Sequence, residues 1–227
     1  MNCTVDAVAA ARNGTRRGPY AKSSHQRDRI IELALDYFGQ QGYHGTSMRE
    51  IARGTGLSQA GLLYHFPTKT DLLTAVLESR DTLPEVAARS AVERAQDPLA
   101  GMTAVIVDNA SNRQLVQMFT VVSAEATDER HPAHGYFRQR SQIVIALMRA
   151  GLEQAVEQGL VRRDLNVDYA ARQCQALMYG LQVQWLFDPS TDMVGLFQHL
   201  LDGFAVPTPR PPPDAKDSRR AADASGQ

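Results

Sequence analysis

The short run QAGLLYH, residues 59–65, contains the side chains with the clearest chemical use in this sequence. A glutamine amide both donates and accepts hydrogen bonds, and its natural bidentate partner on DNA is the edge of adenine, so Gln59 could read a base. Ala60 and Gly61 are small enough for a helix to lie close to a groove, and Ala60 could contact a thymine methyl group. This combination indicates recognition of DNA bases.

The second half of the run provides groups for the DNA backbone. Tyr64 and His65 can each donate a hydrogen bond to a phosphate oxygen, and Lys69 follows a Phe-Pro pair a few residues later. Lys69 is predicted to begin a helix, where free backbone N–H groups also favour a phosphate. The stretch therefore predicts base-reading groups first and phosphate-binding groups after them.

Helical periodicity surrounds this run and explains how it would be held. An apolar stripe over residues 30–38 predicts a first helix, ended by Gly39 and by Gly42. The predicted N-caps of the next three helices are Ser47, in a capping-box pattern, Ser58 and Thr68. Two helices of about eight residues joined by a glycine-containing turn form a helix-turn-helix, which lays its second helix in the DNA major groove.

The stretch from about 25 to 80 resembles the DNA-binding domain of the TetR/AcrR family of one-component bacterial regulators. The residues that carry the resemblance are IIELALDYFGQQGYHGTSMREIARGTGLSQAGLLYHFPTKTDLL. The resemblance implies that Thr46 and Ser47 bind phosphate at the start of the second helix. It also implies that Ser58 to His65 form the recognition-helix face and that Lys69 binds phosphate.

Two positions depart from the family pattern. Gly61 stands where many members have Thr or Asn, and Leu63 stands where many have Tyr. The departures remove a possible base contact and a phosphate hydroxyl, so the family's contacts do not transfer whole. Leu63 could touch a thymine methyl group or mark a weaker grip on the backbone.

The charge is unevenly distributed along the chain. Residues 1–80 have 10 basic and 7 acidic side chains, a net of +3, whereas residues 81–206 have 10 and 15, a net of −5. We interpret residues 1–24 as a disordered basic arm in which Arg16, Arg17 and Lys22 could follow the DNA backbone or enter the minor groove. Residues 207–227, rich in Pro, Ala and charge, are predicted to be a disordered tail.

Longer and more apolar helices are predicted for the body of the protein, at about 98–111, 113–127, 132–158, 167–187 and 191–205. The expected fold is all-α with about nine helices. A helix-turn-helix DNA-binding domain (25–80) of three helices would precede a helical domain (81–206) for effector binding and dimerisation, and the phrase ALMYGLQVQWLFDP resembles the eighth helix of BetI-like members.

The resemblance implies both an effector pocket and a dimer interface in this body. Met beside aromatic side chains suits an apolar or amphipathic ligand, although ordinary core packing is the competing interpretation for each residue. The predicted pocket residues are Met118, Phe119, Val122, Glu125, Phe137, Arg140, Ile145, Met178 and Tyr179. The predicted four-helix dimer interface uses Leu181, Gln184, Trp185, Leu196, Phe197, Leu200, Leu201 and Phe204, with burial inside one chain as the alternative.

Alternative chemistry finds little support. His131 and His134 lie near carboxylates, as a helical metal site would require, but Pro132 between them favours an exposed loop, so no metal and no cofactor are expected. The sequence has no Gly-rich phosphate loop and no nucleophile or zinc-protease motif, so we expect no catalytic residues. An enzyme with an appended DNA-binding module is the alternative from a different class.

The sequence therefore predicts a cytoplasmic transcriptional regulator whose partner is double-stranded DNA. Two cysteines, no apolar leader and no run long enough to span a membrane favour a reducing compartment and no membrane association. We expect a homodimeric repressor on a palindromic operator, released by a small apolar or amphipathic effector. The alternatives of the same fold are an activator and a ligand-independent regulator.

Overall fold

Helices form nearly the whole of the computed structural model, which describes residues 19–206 apart from the side chains of 19–23, 80–89 and 94. Within residues 19–206 there are nine helices and no strand beyond one isolated antiparallel bridge, so the all-α prediction is confirmed. The helices are α1 (Pro19–Gly45), α2 (Met48–Thr55), α3 (Gln59–His65), α4 (Lys69–Ala95), α5 (Ala100–Ser111), α6 (Arg113–Glu125), α7 (His134–Glu157), α8 (Val167–Phe187) and α9 (Met193–Asp202). None of these nine has the length and apolarity that a membrane span requires.

The helices pack into two apolar clusters. The first buries one face each of α1 to α4, including Phe38, Leu62 and Phe66, and is completed by Met118 and Val122 from α6. All five side chains are 2 % exposed or less. Since these α6 side chains lie in the same cluster as the helix-turn-helix, the head (α1 to α4) and the body (α5 to α9) share one core.

The second cluster belongs to the body alone. It joins α5, α7, α8 and α9 through buried side chains such as Ile106, Leu152, Cys174 and Phe197. A buried polar pair also ties α7 to α8, because the amide of Gln175 accepts from the Ser141 hydroxyl and donates to the Ser141 carbonyl, both at 3.1 Å. The body is therefore a layered helical unit with its own interior.

Two element boundaries differ from the sequence-based prediction. Helix α1 begins at Pro19, inside the segment interpreted as a disordered arm, and it continues past Gly39 to Gly45 with a kink at Gly42. Helix α4 runs through to Ala95, across the boundary placed between residues 80 and 81. The start of α1 is polar, so no apolar periodicity marks it as helical. Helix α4 continues across the predicted boundary without a change of composition, so the sequence does not show that the helix goes on.

Capping explains where the short helices begin. Ser58 and Thr68 are N-caps as predicted: Ser58 accepts from Gly61 N at 3.1 Å, and Thr68 forms a reciprocal capping box with Asp71 at the start of α4. Ser47 caps α2 by accepting from Arg49 N at 3.2 Å, a simpler arrangement than the capping box expected there. These caps fix the positions at which α2, α3 and α4 turn away from one another.

Adjacent leucines in α3 provide a matched test of this packing. Leu62 is fully buried, whereas Leu63 is 37 % exposed. Leu62→Ala should lower the free energy of unfolding by about 2–5 kcal/mol because it leaves a cavity in the first cluster. Leu63→Ala, the same truncation one residue later, should change it by less than about 1 kcal/mol.

Urea denaturation followed by far-UV circular dichroism measures both changes. Equal losses in the two variants would contradict the orientation of α3.

Candidate nucleic-acid interface

The turn between α2 and α3 sets the angle of the helix-turn-helix. Helix α2 ends at Gly56, whose φ of 73° lies in the left-handed region, and the Gly56 N–H bonds back to Ala52 and Arg53 carbonyls. Leu57 N then donates to the Ala52 carbonyl at 2.9 Å. No atom lies within 4 Å of where a side chain at Gly56 would begin, so the backbone angle is what favours glycine here.

Helix α3 has one buried and one open side. Leu62 faces the first cluster, while Gln59, Ala60 and Leu63 are exposed and Tyr64 is 83 % exposed. Almost the whole ring of Tyr64 is therefore in solvent, and the ring meets His65 edge to face with 5.4 Å between ring centroids. The open side of α3 therefore presents the predicted base-reading and phosphate-binding groups together.

The two ends of α3 differ in how they are held. At the N-terminal end, Gly61 is half-buried and Ser58 is exposed. The backbone N–H of Gly61 donates a hydrogen bond to the Ser58 side chain, which caps the helix. At the other end His65 is half-buried and Phe66 is buried, with the Arg27 guanidinium over the Phe66 ring at 4.7 Å. Phe66 is a core residue, and its packing anchors the C-terminal end of α3.

The expectation for the Thr46 hydroxyl is wrong. Thr46 is buried, and its hydroxyl donates to the Gly42 carbonyl at 2.6 Å, with the Tyr37 carbonyl next at 3.1 Å. The hydroxyl proton is therefore used inside the protein and does not reach a phosphate. Ser47, one residue later, is half-buried and is the side chain at this helix end that borders solvent.

Lys69 is largely occupied by the protein itself. Its ammonium donates to the carbonyls of Tyr43 at 2.7 Å and Thr46 at 2.9 Å, and it lies 4.3 Å from the centre of the Tyr43 ring. Burial lowers the pKa of Lys69, and the Glu125 carboxylate acts in the opposite direction. Because an ammonium has three N–H donors, one is left for a phosphate. The predicted phosphate ligand is thus also a tie between α4 and the end of α1.

Three predicted contacts belong to the arm that precedes the first cluster. Arg16 and Arg17 lie outside the described residues, and Lys22 lies in α1 at a position whose side chain is not described. Arg49, which no sequence pattern singled out, is exposed in the first turn of α2 beside Ser47. A cation at a helix N-terminus is electrostatically unfavourable, and that unfavourable placement was the signal that could have identified it.

Known proteins share this arrangement. Residues 30–76 match the family model described as bacterial regulatory proteins, tetR family. The regulator RutR of Escherichia coli K12 is 46 % identical over 54 residues, which cover 24 % of this chain and 26 % of RutR. The regulator AcrR of Shigella flexneri is 24 % identical over 177 residues, which cover 75 % of this chain and 82 % of AcrR.

This chain belongs to the TetR/AcrR family of transcriptional regulators. Further members match over much of the length. The repressor KstR2 of Mycobacterium tuberculosis is 24 % identical over 149 residues, covering 65 % of this chain and 74 % of KstR2. The protein is accordingly a DNA-binding transcriptional regulator, and the family is not one of enzymes.

Solved structures agree with the fold. A TetR-family regulator from Agrobacterium tumefaciens superposes with a TM-score of 0.71 at 18 % identity, covering 81 % of this chain and all of that chain. A regulator from Saccharomonospora viridis in complex with choline superposes with a TM-score of 0.58 at 26 % identity, covering 79 % and 95 %. The all-α arrangement of head and body is therefore that of TetR-family proteins.

The nine predicted effector-pocket residues are divided between the two apolar clusters and the surface. Met118 and Val122 are buried against α1 in the first cluster, and Glu125 accepts a hydrogen bond from Tyr43 N. Phe119 and Phe137 make an edge-to-face pair, with the Arg140 guanidinium over Phe119. Ile145 and Met178 instead belong to the second cluster, and Tyr179 is exposed. Core residues of both clusters share the composition of a pocket, and the effector pocket stays a prediction.

Most predicted dimer residues are also misplaced. Leu181, Phe197, Leu201 and Phe204 are buried inside the protomer in the second cluster. Trp185 and Leu200 are only partly exposed, and Trp185 lies beside Arg113, which donates to the carbonyls of Trp185 and Leu186 at the end of α8. Only Gln184 and Leu196 face solvent. The face of α8 that stays open carries Tyr179, Val183 and Phe187 instead.

The histidines near the α6–α7 turn are bonded to the backbone. His131 is buried rather than in an exposed loop, and its Nδ1 accepts from Ala133 N at 3.1 Å. His134 Nδ1 lies 2.9 Å from the Ala126 carbonyl. In the described residues no group of three His, Cys, Asp or Glu side chains is arranged to hold a metal ion.

Replacing Thr46 distinguishes the buried hydroxyl from a phosphate ligand. Thr46→Val should lower the free energy of unfolding by about 1–3 kcal/mol, because the Gly42 and Tyr37 carbonyls lose their donor. The dependence of DNA affinity on salt should stay the same, since no phosphate contact is removed. Denaturation and salt titrations by fluorescence anisotropy measure the two effects. Ser47→Ala, which removes the α2 cap and a proposed phosphate contact, should instead lower the salt dependence of DNA binding as well as the stability.

Proposed function

We propose that this protein is a homodimeric repressor that binds a palindromic operator and is released from it by a small molecule. The observation that carries the DNA part is the open side of α3, where Gln59, Ala60 and Leu63 stand exposed beside Tyr64. An α-helix with short side chains near its N-terminus fits a major groove, and an amide can pair with adenine. Phosphate contacts around it would fix the register.

The phosphate contacts would come from both ends of the helix-turn-helix. Ser47 and Arg49 border solvent at the start of α2, and Tyr64 and Lys69 lie beyond the end of the base-reading run. Arg49 is unfavourable beside the positive end of a helix dipole, and an approaching phosphate would remove that penalty. The basic residues Arg16, Arg17 and Lys22 would extend the contacts as an arm.

The dimer would form through the open face of α8 with part of α9. Tyr169, Ala176, Val183 and Phe187 recur at spacings of seven, seven and four along α8, and all are exposed. Phe187 is 87 % exposed, an unusual position for so large an apolar side chain. Leu196 on α9 is also exposed. Two copies of such a stripe would make a self-complementary interface and place two reading helices on one operator.

The proposals of repression and of release by a small molecule rest on similar proteins rather than on the geometry of this chain. KstR2 of Mycobacterium tuberculosis is named a transcriptional repressor, and the similar structure from Saccharomonospora viridis holds choline. In the present protein a cavity of about 770 Å³ lies between α5 and α9, with apolar walls that include Val107 and Leu160 and with carboxylates at its edge. We take an amphipathic cation as the first class of effector to test there. Thermal shift and loss of DNA binding on adding choline are the measurements.

Gln59 gives the sharpest test of base reading. Gln59→Ala should relax the preference at one base pair of the operator and cost about 1–3 kcal/mol there, while binding to random DNA stays unchanged. Selection of bound sequences from random DNA, followed by affinity measurements on each base substitution, provides the comparison. Equal losses on selected and random DNA would show that Gln59 does not read a base.

The open face of α8 gives the test of assembly. Val183→Glu should convert a dimer to a monomer, because a symmetric contact at Val183 would have to bury two carboxylates, one from each protomer, without a partner of opposite charge. Val107→Glu adds the same charge to a similarly exposed apolar residue on α5 and should leave the dimer intact. Light scattering at micromolar concentration measures both masses. A wild-type monomer would refute the dimer.

A further inference from the structure

A single carboxylate at the end of α6 binds the backbone at the end of α1. Glu125, the last residue of α6, accepts a hydrogen bond from Tyr43 N at 2.6 Å, across 82 residues of sequence. Its carboxylate lies against Gly42, and any side chain there would overlap it. Gly42 has a φ of 70° and ψ of 179°, so glycine is favoured both by the backbone angle and by the close approach of Glu125.

The other side of the same residue is held by α4. The Tyr43 carbonyl accepts from Lys69 Nζ at 2.7 Å, and the ammonium also donates to the Thr46 carbonyl at 2.9 Å. Tyr43 is therefore held at its N–H by the body and at its carbonyl by the helix that follows α3. We call Tyr43, Lys69, Glu125 and His131 the head–body joint.

His131 is the member of the joint with a spare donor. Its side chain is fully buried, its Nδ1 accepts from Ala133 N, and its Nε2 has no hydrogen-bond partner and lies 3.9 Å from Glu125 Oε2. Since Nδ1 is an acceptor, the neutral ring carries its proton on Nε2. The ring also meets Tyr43 edge to face at 5.0 Å and His44 at 5.5 Å.

We propose that Glu125 is a positioning residue for DNA binding, and that protonation of His131 weakens operator binding by drawing Glu125 away from Tyr43. A second proton must go on Nδ1, which would end the Ala133 N–H bond at the start of α7. The resulting imidazolium would attract the Glu125 carboxylate to Nε2, in competition with Tyr43 N. The inference rests on the proposed operator binding, because the measured quantity is operator affinity, which depends on the orientation of α3.

The charges around His131 determine the direction of the response. Burial lowers the pKa of His131, Glu125 and Asp128 act to raise it, and His44 and Lys69 act to lower it. Asp128 is itself paired with Arg130 at 2.8 Å on the surface. Because the folded pKa lies below the unfolded value of about 6.5, the stability from neutral His131 is complete above that pH. It is lost as the pH falls through the folded pKa.

The test compares operator affinity at pH 8 and pH 5.5 at constant ionic strength, using a DNA duplex selected by the wild-type protein. General electrostatics predicts tighter binding at low pH, because protonated histidines add positive charge. The proposal predicts the opposite contribution from His131. His131→Asn keeps an acceptor near the Nδ1 position but cannot titrate, so its affinity should equal that of wild type at pH 8 and should fall less than that of wild type as the pH is lowered to 5.5.

Two further variants isolate Glu125 and the neighbouring histidine. Glu125→Gln keeps an acceptor for Tyr43 N but loses the charge, so it should retain affinity at pH 8 and match His131→Asn in its pH profile. Glu125→Ala should lose about tenfold or more in affinity at pH 8, since a hydrogen bond to a charged group is removed. His44→Asn removes a neighbour that lowers the pKa of His131, so it should keep or enlarge the wild-type difference between the two pH values.

The outcomes separate the two proposals. If the wild-type protein selects no DNA sequence at any pH, operator binding itself fails. If it binds DNA but His131→Asn has the wild-type pH profile, the proton response is wrong. If Glu125→Ala binds as well as wild type at pH 8, Glu125 does not position the head. Circular dichroism at both pH values verifies that each variant is folded.

Discussion

The apolar face of α1 is buried from two directions, and this shared burial is the constraint on which the rest of the molecule depends. Phe38, Leu62 and Phe66 fill the side of the helix-turn-helix, while Met118 and Val122 of α6 close the same cluster from the body. A unit of about 55 residues has too little interior to be more than marginally stable alone. The reading helix therefore depends on α6 for its fixed orientation.

A shared core also explains the polar contacts at its edge. Glu125 accepts from the N–H of Tyr43 and Lys69 donates to the carbonyl of the same residue, and Gln117 of α6 adds a hydrogen bond to the Gly39 carbonyl at 3.1 Å. Such contacts are directional, whereas apolar burial is not. The cluster supplies most of the adhesion between head and body, and the hydrogen bonds select one angle between them.

Much of the fold could be predicted from sequence, because helical period and capping are local signals. Helix α8 was placed correctly at residues 167–187, and the caps at Ser58 and Thr68 are confirmed. Its packing face was not predictable, since α8 is apolar around most of its circumference and Leu181 and Val183 look equally suitable for a partner. The roles of Lys69 and Glu125 depend on residues far away in sequence, which no periodic pattern reveals.

The head–body joint limits how freely this helix-turn-helix could be exchanged between regulators of the family. A hybrid regulator made by cutting at residue 80 would join this head to an α6 that evolved against a different α1. The apolar side chains of the head would still be mostly buried by the new α6. The Glu125 carboxylate that lies over Gly42 and the buried His131 imidazole beside it would be absent. Head and body therefore form one structural unit, joined at the end of α6 rather than divided within α4.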